Sequence, residues 1–557
     1  MNATKTSVDP LGPGRSILPA RHGPPRTARA LWVERTAVLI AATAAMRWVV
    51  ATATGLSDTE AYYASWARTP ALSYYDHPPL VAWTAWIARH AAGSLGSAPA
   101  ARIGPVLYAA ALQALIYRLA ARLFSPRAGF FAATVLACIP VFFFVGFLLN
   151  PEALLTPLWA LFLLLLLDLR DHDQPYRPLA LGATVGVAFL AKYTAVLAVP
   201  VTLLFVASSP RVRRWLRRPS FYLAGLVALS VASPVIVWNA LRGWPSLHLH
   251  FSERMATGPG ESPWQVLRRV GSAQLAYFHP IVLPALVGVL VYACARSRSD
   301  PRHRFVVIAS LPVLAFLLTM MVRAGDSEPH WTMVGYLPLV VAAGGFLDES
   351  TGVLRRAAHG VHRVALLVSG LAASLYAVHV GSPVLATKLP HYDAASDPLN
   401  ETLGWDQVRA SIRAQASGLG PAAVVVGAHN VLCGHLQTAL DERSSISRDA
   451  GTPPTALQSS SWTASAIPHS FTRPCPATCA PPPMCWRSTD RGCGRRSIDF
   501  GPAGSPASEA RRERAEGGRA SARRLATAAT LGDPRGNDGD HRGLRRFRVS
   551  ADASYAI

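Results

Sequence analysis

The chain has 557 residues and a mean hydropathy of +0.24; 51% of it is hydrophobic and only 15% is charged. Soluble globular chains carry about 25% charged residues, so the deficit, spread over many long apolar runs, excludes an ordinary soluble domain and points to a membrane protein. A formal charge of +22 would suggest nucleic acid in a soluble chain, but here the basic residues form short clusters between apolar runs, which is how a membrane protein marks one side of the bilayer.

In chain order, residues 1–35 are basic and rich in Pro and Gly. They read as a cytoplasmic tail with no cleavable signal peptide, and the apolar run that follows reads as an uncleaved anchor. A span needs about 20 apolar residues. Candidate runs fall near 36–54, 103–123, 128–148, 153–169, 179–191, 194–208, 221–239, 273–295, 305–322, 332–347 and 362–380. The expected fold is an all-α polytopic membrane protein with about 11 transmembrane helices over 36–380. The fifth and sixth runs are short and are separated by Lys192, so they read as a hairpin of abbreviated helices.

Lys and Arg set the orientation. With the N-terminus cytoplasmic, the inside segments hold 23 basic residues and the outside segments 8. The sharpest marker is the cluster Arg211, Arg213, Arg214, Arg217 and Arg218. This orientation places two sizeable loops outside, 55–101 and 240–272, and makes 381–442 a small extracytoplasmic segment. In the first loop, residues 60–69 and 80–92 interleave aromatic and polar positions, with Trp83 and Trp86 three apart. They read as interfacial helices, where Trp and Tyr prefer to sit.

Residues 443–557 change character. Lysine is absent after Lys388, and 17 arginines from 444 onward are embedded in Ala, Gly, Pro and Ser. This tail reads as disordered low-complexity sequence or as a shifted reading frame of a GC-rich gene; no function is placed there. Its Cys475 and Cys479 stand among prolines with no regular structure to hold zinc. Cys138 and Cys294 lie in apolar runs and read as packing residues.

The chemistry concentrates in the first loop. Asp58-Thr59-Glu60-Ala61-Tyr62-Tyr63 is followed by Tyr74-Tyr75-Asp76-His77-Pro78-Pro79-Leu80, so three carboxylates, one histidine and four tyrosines lie within a short stretch just after the first span. A carboxylate at such a border can act as a general base on a hydroxyl or help bind a divalent cation. The bland alternative is a solvated loop in which Asp58 caps a helix at 60–69. Lys192 interrupts an apolar stretch, and ionisable residues in membrane segments are costly and usually functional, unless the lysine snorkels to the interface. Arg47 lies within the first span, where a structural ion pair explains it as well as a functional one. Glu152 follows Pro151 and suits either helix capping or a pocket. His248 and His250 lack a third residue to complete a metal site.

This pattern resembles the first-loop signature of the family 39-like, aminoarabinose-transferase-like glycosyltransferases of the GT-C superfamily, which are related to the dolichyl-phosphate-mannose-protein mannosyltransferases. An acidic pair, Ala-Tyr-Tyr and an Asp-His-Pro-Pro-Leu block occur in that order. Arg102, Asn150-Pro151-Glu152-Ala153, Ala191-Lys192-Tyr193-Thr194, Trp238-Asn239 with Gly243-Trp244, and Pro329-His330-Trp331 agree along the chain, so the resemblance covers roughly 36–410. Where many members have adjacent Asp-Glu, Thr59 here separates Asp58 from Glu60, so either could be the catalytic carboxylate, with Asp58 favoured.

The resemblance implies transfer of a sugar from a polyprenyl-phosphate donor to an envelope glycolipid, such as lipid A, or to a glycan or protein acceptor. The implied place is the extracytoplasmic face of a bacterial inner membrane. Asp58 or Glu60 would be the base and the candidate ligands of a divalent cation (Mg or Mn). Lys192 and Arg102 would steady the donor phosphate. Tyr62, Tyr63, Tyr75, Asp76, His77, Glu152 and His330 would contact substrate. Two rival readings are a lipid or solute transporter or flippase, which would more often show internal repeats, and a catalytically inactive relative.

Overall fold

The computed structural model of the protein describes residues 26–253, 261–324 and 327–381, isolated positions between 402 and 435, and 548–549. The chain divides into two compact units, 1–464 with 547–557, and 465–546; the second lies outside the described residues. The expectations for residues 1–25 and for the cysteines and low-complexity character of the tail also fall outside them. The described residues are helical apart from loops and one two-residue parallel pairing, Val426–Gly427 with Arg548–Val549.

The helices begin where local chemistry tells them to. Pro stands in the first turn at Pro126, Pro151, Pro263 and Pro301, and Ser125, Asn150, Ser262 and Asp300 cap those same four helices through their side chains. Proline's missing N–H costs nothing there, and a side-chain oxygen satisfies one of the amides the helix leaves unpaired.

Seven described helices are long and apolar enough to cross a membrane: Ala28–Ala53, Ser97–Leu123, Pro151–Asp171, Pro219–Ala240, Pro301–Arg323, Pro329–Glu349 and Gly352–Val380. Two bent pairs raise the number to nine, Tyr193–Ala207 with Pro210–Arg217 (114°) and Pro263–Phe278 with Val282–Arg296 (100°). The other apolar runs of the sequence form shorter helices. Run 128–148 divides into Pro126–Ala137 and Pro140–Val145, because Pro140 removes an amide and collides with the preceding turn. Run 179–191 is the 16-residue helix Tyr176–Ala191, and Lys192 does end it as an extended residue (φ −156°). Run 273–295 bends at His279, which holds a positive φ of 76°. Hydropathy counts apolar residues but carries no information about backbone direction at such a break.

The Pro329–Glu349 helix is the centre of the bundle, with 83% of its apolar window buried, whereas Gly352–Val380 has 6% and turns most of its surface outward. In a bilayer, apolar surface alone does not drive helices together, so close packing at small residues does. Gly182 and Gly186 lie one turn apart on Tyr176–Ala191 against Pro219–Ala240. A Cβ on Gly182 would come 2.1 Å from the Ala224 carbonyl oxygen, and one on Gly344 would come 2.3 Å from that of Ala128. Cys294, by contrast, is exposed on its helix rather than packed.

At the helix ends away from Arg102 and Glu152, ion pairs tie neighbours together. Arg122 meets Asp168 and Asp171, Arg177 meets Asp168 at 2.7 Å, and Arg302 bridges Asp300 and Glu349 at 2.7 Å each.

Gly182→Leu should lower the thermal midpoint of the detergent-solubilised protein and its yield, since overpacking costs about 1–3 kcal/mol or more. Gly288→Ala, where an added Cβ meets nothing within 4 Å, should leave both unchanged. Equal melting of the two variants would show that the close helix approach is not required.

Candidate active site

The site is built at the ends of five helices. The first is Asp58–Trp66, which Ser57 opens, not Asp58: Ser57 Oγ accepts from the Glu60 amide at 3.3 Å, and Glu60 Oε2 accepts from the Ser57 amide at 3.0 Å. This reciprocal capping box puts Asp58 at the first helical position, free to face outward, and turns Glu60 inward.

Glu60 is fully buried and meets Arg102, also fully buried, at the start of the second long helix. Arg102 Nε donates to Glu60 Oε1 at 2.8 Å and Nη2 donates to Oε2 at 2.5 Å. The remaining guanidinium donors go to the carbonyls of Ala51, Thr54 and Gly55 at 2.7–3.0 Å and to the Thr54 hydroxyl at 2.7 Å. The Leu149 amide donates to Glu60 Oε1 at 3.0 Å. The pair is therefore saturated by protein groups. The expectation that Arg102 meets a donor phosphate does not fit this geometry, because no donor remains and the side chain has no exposure. Glu60 likewise has both oxygens engaged, which sets it apart from Asp58 as a base or a metal ligand.

A second charged centre starts three positions after Leu149. Pro151–Asp171 is opened by Asn150, whose Oδ1 accepts from the Ala153 amide at 2.8 Å, and carries Glu152 in its first turn. The Glu152 carboxylate receives the Lys192 ammonium, and His330 Nε2 approaches the same oxygen at 2.9 Å. Lys192 and Glu152 are almost fully buried, while His330 keeps 26% of its side chain exposed and so forms the open edge of this cluster. His330 is placed by the turn Pro329–Thr332, held by Gln274 through the Pro329 carbonyl (2.9 Å) and the Thr332 hydroxyl (2.9 Å).

The aromatic block between these centres is a clamped loop. Tyr62 donates to Asp76 Oδ1 at 3.1 Å, and Tyr63 sets an edge against His77 with ring centres 5.6 Å apart. Trp66 and Tyr74 stack at 4.1 Å and 5°. The Tyr74 hydroxyl donates to the carbonyls of Trp66 and Thr69, and burial pushes it up to about 12 despite the Ala71 amide it accepts. It therefore stays protonated and keeps the loop closed at any physiological pH. The second loop closes on the first: Ser246 donates to the Tyr74 carbonyl at 3.3 Å, and a ring nitrogen of His250 lies 3.0 Å from the Asp76 carbonyl. His250 thus serves the loop rather than a metal.

Asp58, 34% exposed, has one feature the motif did not signal. His435 Nε2 lies 3.2 Å from Asp58 Oδ1, although the two are 377 residues apart. Among the described residues, no three His, Cys, Asp or Glu converge closely enough to hold a metal ion. Glu60 is engaged by Arg102, so of the expected pair only Asp58 is open to a cation, and no step below runs through one.

The comparisons with known proteins agree with this architecture. The family described as dolichyl-phosphate-mannose-protein mannosyltransferase matches residues 76–238. The lipid A galacturonosyltransferase RgtD of Rhizobium johnstonii is 26% identical over 349 residues, covering 61% of this chain and 67% of that one. The crystal structure of ArnT from Cupriavidus metallidurans bound to undecaprenyl phosphate superposes with a TM-score of 0.52 at 17% identity, covering 74% of this chain and 88% of that one; at that identity the likeness concerns the fold. The fold and the site thus define a polytopic GT-C-type membrane protein. The chain resembles ArnT in fold and the lipid A galacturonosyltransferase in sequence.

Removing one partner of a buried ion pair leaves an uncompensated charge, at a cost of about 3–5 kcal/mol. Arg102→Ala and Glu60→Gln should each lower the thermal midpoint in detergent strongly, in the presence or absence of substrate. A normal melting curve for Arg102→Ala would remove the pair from its structural role.

Proposed function

We propose that the protein is a membrane glycosyltransferase that moves a sugar from a polyprenyl-phosphate donor to a hydroxyl of an envelope glycolipid of the lipid A class. The observation that carries this reading is the presence of two differently charged, partly open groups among the described residues. The carboxylate of Asp58 is partly exposed, and the Lys192–Glu152–His330 cluster opens through His330. The Asp-His-Pro-Pro-Leu loop lies between them in sequence and is held rigid. The relatives' printed activities, transfer to lipid A and binding of undecaprenyl phosphate, support both substrate classes.

In the proposed reaction, Asp58 takes the proton from the acceptor hydroxyl as that oxygen bonds to the anomeric carbon. The bond from the anomeric carbon to the phosphate oxygen breaks, and polyprenyl phosphate leaves with the electron pair. Lys192 steadies the leaving phosphate, sharing Glu152 with His330 so that the cluster can turn positive charge toward it. One displacement inverts the anomeric centre. Tyr62 and Tyr75 supply faces for the sugar, whereas Tyr63, expected to join them, is buried against Trp66 and His77 and, with Asp76 and His77, shapes the loop. The Glu60–Arg102 pair positions Asp58 and does not itself react.

We also propose that this face is extracytoplasmic, in a bacterial inner membrane, with the N-terminus cytoplasmic. The arginine-rich helix ends, including Arg211 to Arg218, then face the cytoplasm.

Asp58→Asn should lower turnover by at least about 10²-fold at normal thermal stability, read by transfer to glycolipid in membranes using mass spectrometry. Lys192→Met should weaken donor use more than acceptor use. An inserted, folded wild type that adds no sugar to any glycolipid, with full activity of a transport assay instead, would overturn the transferase reading. Labelling of single cysteines placed at Thr69 and Arg298 from either side of intact cells checks the orientation: Thr69 is expected to react outside and Arg298 inside.

A further inference from the structure

Four described residues beyond the last long helix, Thr402, Trp405, Gly434 and His435, lie against or near the first loop. Gly434 packs so closely on the Asp58–Trp66 helix that a Cβ there would lie 2.6 Å from the Ala61 carbonyl, and a Cβ on Gly55 would lie 2.8 Å from the Thr402 carbonyl oxygen. This close backbone approach seats His435, which is fully buried, behind Asp58. Trp405 stacks on the imidazole with ring centres 3.5 Å apart and planes 7° from parallel.

A carboxylate only accepts hydrogen bonds, so the 3.2 Å contact is a donation from the Nε2–H of His435 to Asp58 Oδ1. The difference in burial assigns the roles: Asp58 is 34% exposed and His435 is 0% exposed. Asp58 can reach a substrate, whereas His435, buried, acts on it through Asp58. The stacked Trp405 fixes the ring plane and hence the direction of the N–H. A base fixed in this way presents its second oxygen, Oδ2, in one orientation. An untethered Asp at the first position of a helix would sample several rotamers.

We propose that His435 is a positioning residue for Asp58, and that Trp405 and His435 complete the active site of the first loop. The proposal rests on Asp58 as the base. It makes the far end of the helical domain part of the catalytic apparatus, though no motif near His435 announces it.

The test compares full-length His435→Gln, His435→Asn and His435→Phe in the glycolipid transfer assay, with melting curves for each and Asp58→Asn beside them. Gln can place an amide N–H near the Nε2 position. Asn is too short, and Phe keeps the stack on Trp405 but donates nothing. We expect Phe and Asn to lower kcat on the order of 10²-fold, the cost of a misplaced reacting group, with donor KM within about twofold of wild type. Gln should recover most of the loss. In an Asp58→Asn background, His435→Phe should cause no further loss, because two residues acting through one group are non-additive. Wild-type kcat in both Asn and Phe, beside an inactive Asp58→Asn, overturns the role of His435 alone. Equal losses in Gln and Asn at unchanged stability also overturn it, since the hydrogen bond would then not be what matters. If Phe fails to fold, the contrast between Gln and Asn still decides. Full activity of Asp58→Asn overturns the base assignment itself, and His435 with it.

Discussion

The ion pair of Arg102 with Glu60 is the constraint on which the rest of the site depends. Both groups are fully buried, and a buried charge is tolerated only when its partner and its other hydrogen bonds are supplied. Satisfying Arg102 requires three carbonyls from the end of the first span, and satisfying Glu60 requires the Ser57 and Leu149 amides. The pair thereby fixes the exit of the first span, the start of the loop helix, the second span and the approach to Pro151 relative to one another. None of these can shift without leaving a charge unpaired.

That fixation propagates in both directions along the chain. Two residues before Glu60, Asp58 is held at the first helical position by the same capping box that turns Glu60 inward. Three positions after Leu149, Glu152 takes up Lys192 and His330. One buried pair therefore sets the frame for the proposed base and for the proposed phosphate-binding cluster, although it reacts with neither substrate. Such arrangements are reasonable in a membrane, where a single mispositioned polar group has no water to fall back on. The aromatic clamp of Trp66, Tyr74 and Trp83 adds rigidity between the two centres, with the Trp83 indole donating to the Ala71 carbonyl at 2.9 Å.

The GT-C-type fold and the helical membrane class were legible in the sequence because each leaves a local trace, and so was the cluster of chemically capable residues in the first loop. Apolar runs of span length, Pro and Ser or Asn at helix starts, and an acidic-aromatic block after the first span can all be read without knowing what packs on what. Lys192 was legible for the same reason: a lysine between two apolar runs has few inexpensive explanations. Where the expectation for Arg102 parts from the structure, the reason is physical. An arginine opening a span shows its charge in the sequence but not the five acceptor groups around it, which come from residues 51–60. The shortened and bent helices at Pro140 and His279 were hidden because hydropathy averages over the break.

What the sequence by itself determined is the membrane-helical class, the charge asymmetry of its loops and the residue types available for chemistry. Those follow from composition and spacing, which act locally. Only the tertiary structure decided that Glu60 is occupied while Asp58 is open, that Lys192 is met by both Glu152 and His330, and that His435 stands behind Asp58. Each of those facts is a pairing of residues that are distant in sequence or turned to opposite sides of one helix. A buried polar group must find its partner wherever the packed chain places one, and no local pattern encodes that partner.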